Sequence, residues 1–222
     1  MERCNCSGDG YTARFTTAAN YNGVANFTFT ATDPAAATSF GPVNYALLIT
    51  TTNANNPPNL AAITNRTVIA GTTVNFTCSA TDTDAPPQTV TFALQNSPAG
   101  ATLGTNTGVF NWRPVIAQSN TTNAMSVIAT DNGAVSLSAT QGFTVTVLRP
   151  AQPLLGSTTA GAGQFTFSVA GDAGPDYSIL ASTNLVNWTG VFTTNSPALP
   201  FNWTDPATTN FSQRFFRVLL GP

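Results

Sequence analysis

The triplet Ala-Thr-Asp recurs at Ala31-Thr32-Asp33, Ala80-Thr81-Asp82 and Ala129-Thr130-Asp131, and its first and third copies stand 98 residues apart. Each of those two ends a strand-like run, Asn26-Phe27-Thr28-Phe29-Thr30 in one case and Met125-Ser126-Val127-Ile128 in the other. Each is followed by a turn and a long alternating run, Val43 to Thr50 and Phe143 to Leu148. Self-similarity at a fixed spacing marks tandem units, so the chain reads as modules in a row. Both copies run into proline-bearing segments, Asn56-Pro57-Pro58 and Arg149-Pro150-Ala151-Gln152-Pro153, which read as module boundaries. The modules expected are 1–57, 58–150 and 151–222, and the middle triplet ends an early strand of the second.

These modules are built from strands. The chain holds 38 Thr and 22 Asn against a single Glu; Thr, Val and Phe favour strands, whereas Asn, Gly and Pro favour turns. A helical chain of this length would carry many Glu, Lys, Arg, Leu and Ala. In the second module the candidate strands are 66–70, 72–80, 89–94, 108–112, 124–130 and 135–148, the last broken near Gln141-Gly142. In the third they are 164–169, 177–181, 188–192, 200–203 and 214–220. Short strands divided by Gly, Pro and Asn turns predict antiparallel sandwiches.

On the residues Asn56-Pro57-Pro58, Gly71, Ala80-Thr81-Asp82-Thr83-Asp84, Pro98-Ala99-Gly100-Ala101, Thr107 to Pro114 and Thr130-Asp131, the second module resembles the putative-Ig, cadherin-like repeats of bacterial surface proteins. The resemblance implies an all-β chain of tandem Ig-like, cadherin-like antiparallel β-sandwich modules at the cell surface. Shifted by the repeat length, Met1 falls opposite Ala99, so the first module is expected to lack its first three strands. What remains, Tyr11 to Phe15, Asn20 to Gly23, Phe27 to Asp33 and Val43 to Thr50, is similar to the second half of such a repeat. Through Tyr177 to Trp188 and Arg214-Phe215-Phe216-Arg217-Val218, the third module resembles a small C-terminal β module of secreted multi-domain proteins from Verrucomicrobia-like bacteria.

Several functions are disfavoured by what the chain lacks. Without a histidine there is no serine or cysteine triad of the usual kind and no His-ligated zinc. The acids are Glu2 and eight Asp, with no spacing that reads as a paired-carboxylate glycosidase site, so a non-enzymatic role is expected. Seven scattered Arg, no Lys and a net charge of −2 do not suit a phosphate-tracking nucleic-acid binder. Absence of Lys also removes Lys–Asn isopeptide crosslinks. No apolar run approaches the roughly 20 residues of a membrane helix, and Met1-Glu2-Arg3-Cys4 opens no signal peptide. A mature form or a fragment without a membrane span is expected.

Three sets of residues stand out as sites. Cadherin-like repeats hold Ca²⁺ through acidic side chains near module junctions, and the resemblance carries that onto Asp82, Asp84 and Asp131, with Asp33 in the first module. Ca²⁺ takes six to eight oxygens, and Ala85-Pro86-Pro87 follows Asp84 where the family pattern has a further Gly-Asp or Gly-Asn. The alternative is that these Asp cap turns, and no other cofactor is expected. Trp188, Trp203 and Tyr177, with Phe201, form either an aromatic platform for a sugar or the core of the third module. Cys78 shares a strand face with Val74, Phe76 and Ala80 and reads as a buried apolar residue. Cys4 and Cys6 are too close to bridge each other, which leaves intermolecular disulfides or free thiols.

A half sandwich leaves an apolar face and strand edges that must be covered, and a neighbouring subunit can supply the missing strands. Head-to-tail contacts of that kind do not close and so propagate as fibres. The expectation is a structural subunit of an extracellular bacterial filament or adhesive surface fibre. Its partner is itself, with other surface proteins or polysaccharide as further partners and no nucleic acid. Donor segments would be Glu2 to Ser7 and Arg214 to Leu220, with Cys4, Cys6, Arg214, Phe215, Phe216 and Val218 at the contact. The rival expectation is a fragment of a large secreted adhesin or enzyme, in which these modules act as spacers or carbohydrate-binding appendages.

Overall fold

The computed structural model describes residues 23–33, 38–49 and 55–221, the first two ranges as backbone. Over those residues the chain is all-β, with two short 3-10 turns at Ile116–Gln118 and Thr208–Asn210. The first two strands, β1 (Gly23–Asp33) and β2 (Thr38–Ile49), pair antiparallel as a two-stranded sheet. Their register sets Phe27 opposite Tyr45 and shifts once, between Phe29 and Ala31.

Nine strands follow: β3 (Asn59–Leu60), β4 (Arg66–Ile69), β5 (Val74–Thr77), β6 (Ala80–Thr81), β7 (Thr91–Gln95), β8 (Thr102–Leu103), β9 (Val109–Trp112), β10 (Thr121–Thr130) and β11 (Ser138–Leu148). They make a four-stranded sheet ordered β4-β11-β10-β7, a three-stranded sheet ordered β5-β9-β8, and the short pair β3-β6. All pairings are antiparallel except β4 with β11. Successive side chains of a strand point to opposite faces, and the alternation in sequence becomes alternation in burial. Met125, Val127 and Ala129 of β10 and Phe143, Val145 and Val147 of β11 point inward, against Val74, Phe110 and Trp112 of the facing sheet. Phe76 stacks on Phe110 at 4.8 Å, and Phe143 meets both rings edge-on at 5.5 Å. Each fully buried side chain of this size is worth roughly 1.5–3 kcal/mol. The break expected near Gln141-Gly142 is absent. β11 runs through it because Gly142 and Gln141 keep register with Ser126 and Val127.

The last six strands are β12 (Leu154–Gly161), β13 (Gln164–Ala170), β14 (Asp176–Ser182), β15 (Thr189–Thr194), β16 (Phe201–Asp205) and β17 (Phe215–Gly221). They form two three-stranded antiparallel sheets, β12-β13-β16 and β15-β14-β17. Phe167, Val169, Tyr177, Ile179 and Trp203 fill the space between them. The Tyr177 hydroxyl donates to the Asp172 carbonyl at 2.8 Å, so the one polar atom of that buried ring is satisfied.

Candidate functional site

Polar chemistry concentrates at the two ends of the second sandwich. At one end, the segment entering the sandwich carries Asn55 and Asn56, and the loops after β6 and β10 bring Asp82, Asp84, Gln88 and Asp131 to it. Asp84 and Asp131 are almost fully buried. Asp84 accepts from the Asn56 backbone N–H at 2.8 Å, the Asn56 side-chain amide at 2.7 Å and the Gln88 amide at 3.1 Å. Asp131 accepts from the Gly133 and Leu137 backbone N–H groups, both at 3.0 Å, and from the Asn55 amide at 3.0 Å. Asn55 also donates to the Val135 carbonyl and accepts from Gln88 at 2.6 Å. Asp82 caps the turn by accepting from the Asp84 N–H at 2.9 Å. Burial alone would raise the Asp131 carboxyl, but the Leu137 and Gly133 N–H groups and the Asn55 amide outweigh it and hold the group below its ordinary value.

A calcium ion would need more free oxygens than these residues offer. Two buried oxygens, Asp82 Oδ2 and Gln88 Oε1, accept no hydrogen bond, which is too few for an ion that takes six to eight oxygens. The carboxylates of Asp84 and Asp131 are already engaged by N–H donors. Among the described residues no three acidic, His or Cys side chains gather as a ligand set. As arranged, the cluster does not fit Ca²⁺, and the side-chain amides of Asn55, Asn56 and Gln88 offset the buried negative charge. The unfolding midpoint is therefore expected to stay within about 1 °C between EDTA and millimolar CaCl₂, since a ligand bound at 100 times its Kd would add about 2.7 kcal/mol. Differential scanning calorimetry decides this, and a rise of several degrees would show that the amides yield to the ion.

At the other end of the sandwich, Arg113, just past the end of β9, reaches into the third module. Its Nε donates to the Gly71 carbonyl at 2.6 Å, and its Nη2 donates to the Gly174 carbonyl at 3.0 Å, to Asp176 at 2.6 Å and to Ser196 Oγ at 3.2 Å. Nη1 donates to the second Asp176 oxygen at 3.3 Å. Backbones close in around this pair. Gly71 sits at φ +90, and a Cβ there would lie 2.6 Å from the Pro175 Cα; one on Gly174, at φ +114, would lie 2.2 Å from Thr72 Oγ1. The linker is tied as well, with Ala151 N–H donating to Asp172 at 2.7 Å. A shallow cleft of about 170 Å³ lies beside it, between Ile116, the 149–153 linker and Val218 to Leu220.

The Arg113 hydrogen bond is the main reason the Asp176 carboxyl is held below its ordinary value; burial pushes the other way, and the Ser196 N–H and the Arg113 charge add to the lowering. A depressed folded pKa stabilises the fold fully above the unfolded value of 3.8 and loses that contribution as pH falls through the folded value. Module coupling is therefore expected to be constant from neutral pH to about 5 and to weaken below 4. Unfolding titrations of wild type and Asp176→Asn across this range check it: the two should converge at low pH.

The remaining singled-out residues separate by burial. Tyr177 and Trp203 are buried, at 0% and 7% exposure, so they form core and not a sugar platform: alternation along β14 and β16 turns them inward. Trp188 is half-buried, donates to the Leu185 carbonyl at 3.1 Å and lies under the Arg217 guanidinium at 4.4 Å. Arg214 is ion-paired with Asp205 and lies over Phe211 and Phe216. Phe215, Phe216 and Val218 belong to β17, which is paired along its length with β14. A strand seated in its own sheet is a donor only if that sheet opens. Cys78 is buried, and burial pushes its thiol up, against a smaller lowering by Arg66. Cys4, Cys6 and Asp33's side chain lie outside the described residues. Sequence reasoning missed Asn55, Gln88, Arg113 and Asp176. For Arg113 the available signal was its place in Trp112-Arg113-Pro114, the end of a core strand, in a chain with only seven Arg.

Residues 50–148 match the family described as Putative Ig domain. Among solved structures, the chain is similar to a nucleoside hydrolase-related hypothetical protein from Saccharophagus degradans associated with carbohydrate metabolism, at 18% identity and a TM-score of 0.36, over 43% of this chain and 26% of that one. It is also similar to human mucin-like protocadherin EC1-2, at 18% identity and a TM-score of 0.42, over 57% of this chain and 68% of that one. Mouse cadherin-23 EC22-24 matches at 23% identity and a TM-score of 0.38, over 56% of this chain and 42% of that one. The chain thus spans about a quarter of the first of these. No curated protein sequence matches it. Among the described residues no helix is long and apolar enough to cross a membrane.

Proposed function

We propose that this chain, which carries a Putative Ig domain over residues 50–148, is a non-enzymatic structural subunit of an extracellular bacterial filament or surface fibre. The observation that supports this most is the register of β1 with β2. Shifted by the 98-residue repeat, Phe27 opposite Tyr45 lands on Met125 opposite Phe143, and Val24 opposite Leu48 lands on Thr122 opposite Thr146. In the second sandwich the matching hairpin β10–β11 is flanked by β7, antiparallel to β10, and by β4, parallel to β11. Among the described strands β1 and β2 have neither flank, and an isolated two-stranded sheet is marginal in water. A neighbouring copy supplies both: one strand antiparallel to β1, one parallel to β2. The donated main chain completes the ladder, and its alternate side chains fill the face that the missing strands would cover. Such a contact is heterologous and propagates. The Arg113 clamp favours the same reading, since a load-bearing subunit needs its modules held in one orientation.

Electron microscopy of the native protein, with its mass on unheated, non-reducing gels, tests the proposal. Fibres with a regular axial repeat and a ladder of resistant oligomers are the expected result, and a monodisperse monomer overturns it. The same register favours one second reading, in which strands of a longer polypeptide complete the hairpin and the modules are spacers of an extracellular adhesin or enzyme. A monomer whose β1–β2 amides are protected from exchange only when further sequence is attached would establish that reading.

A further inference from the structure

We infer that the outer edge of β12 is a pairing surface for a second copy of this chain, β12 against β12 and antiparallel. β12 is the end strand of its sheet, and all eight of its residues are exposed, Leu154 at 69% and Leu155 at 44%. Its outward N–H and C=O groups meet no strand among the described residues, so it is a ready template for another strand. Natural edges are blunted with charge or proline. From Leu154 to Gly171 this chain has neither. The one protective device is a bulge between Gly156 and Thr159, with Ser157 at φ 46.

Charge selects the occupant. Two-fold pairing sets a strand against itself, so any charge near the axis meets its own sign, which destabilises the ladder. The charged edges fail on this count, since β17 would bring two Arg217 together and β4 carries Arg66; β16 has only five residues, and β2 is longer and uncharged but carries Pro42 and belongs to the contact proposed for the hairpin. β12 opposes only Leu, Gly, Ser, Thr and Ala. Within the second and third modules it is also longer than the uncharged edges of β5, β7 and β15, which have four, five and six residues, and of β3, β6 and β8, which have two each. A partner of strong charge gains nothing at such an edge, whereas a second copy loses nothing. Because the bulge divides the ladder, the pairing is short and reversible. It joins copies side by side, independently of the end-to-end contact proposed for the β1–β2 hairpin.

Sedimentation equilibrium of the full chain, under reducing conditions and from roughly 10 µM to 1 mM, reads this directly. Wild type is expected to associate, and Leu155→Lys and Thr159→Lys each to weaken association at least about tenfold, since each places a lysine from both copies in the same short ladder and blunts the edge. Both side chains are exposed, so the unfolding midpoint should not move. In a Cys4→Ser, Cys6→Ser background, cysteines introduced one at a time at positions 155 to 160 should give a disulfide dimer on mild oxidation at the position on the two-fold axis, whereas Thr193→Cys on the opposite sheet should not. Association unchanged by either lysine overturns the inference, as does a monomer at every concentration. Thr30→Pro on β1 separates the two contacts. If it abolishes association while Leu155→Lys does not, the β12 inference falls and the hairpin reading stands; if only Leu155→Lys weakens it, the reverse holds.

Discussion

Replacing Trp112 with alanine is expected to destabilise the second sandwich by about 3–5 kcal/mol, the range for deleting a large buried aromatic. Trp112 is fully buried on β9, the central strand of its sheet, directly opposite Val74 of β5. Two effects add. The ring leaves a cavity that the β10–β11 face is too well packed to fill. The Ala99 carbonyl loses the indole N–H, now at 3.2 Å, and keeps only the Gln118 amide at 3.0 Å. With the second and third modules unfolding together, the midpoint shifts by about 2–4 °C per kcal/mol, so it should fall on the order of 6–20 °C. Trp112→Phe keeps most of the apolar volume and loses the hydrogen bond, and should cost about 1–2 kcal/mol. Urea unfolding of the three proteins checks both values. A loss under about 1 kcal/mol for the alanine variant would mean that the ring is not the centre of this core.

Alternation made most of the fold legible. Wherever one face of a strand is buried and the other wet, as in β10, β11, β13 and β14, the sequence period is the structural period. The longest strand that sequence reasoning missed, β12, is exposed along its whole length, so burial imposes no pattern on Leu-Leu-Gly-Ser-Thr-Thr-Ala-Gly. β3 and β8 are two residues each, too short for any period. The sites divide on different grounds. Asp82, Asp84 and Asp131 are conspicuous as acids in a chain nearly without charge. Their partners are not, because Asn55 meets Gln88 across 33 positions and Asp131 across 76, and in a chain with 22 Asn no single amide stands out. Tyr177 and Trp203 could have been placed inside from their spacing to Ile179 and Phe201, since alternate positions share a face; residue type suggested a platform and position decided against it.

The contact between the second and third modules rests on Arg113, and Arg113→Ala is expected to weaken it by about 1.5–3 kcal/mol, the range for hydrogen bonds to charged groups. The side chain is 32% exposed and Asp176 17%, so the solvent-screened lower half of that range is the better expectation. Removal leaves Asp176 with the Ser196 N–H at 3.0 Å and strips the Gly71 and Gly174 carbonyls of a donor. Arg113→Lys should recover little, because an ammonium cannot serve two carbonyls and a carboxylate in the fixed fork of a guanidinium. Gly71→Ala attacks the same contact sterically. Its Cβ would fall 2.6 Å from the Pro175 Cα at a φ of +90, so the backbones must part even with Arg113 intact. Both variants should split a single unfolding transition into two and lengthen the particle's maximum dimension in small-angle scattering, with the core of each sandwich undisturbed. A double-mutant cycle of Arg113→Ala with Asp176→Ala should give a coupling of about 1 kcal/mol or more. Strict additivity, with scattering unchanged, would show that the close glycine and proline backbones alone hold the modules together, and that the ion pair only fills the space between them.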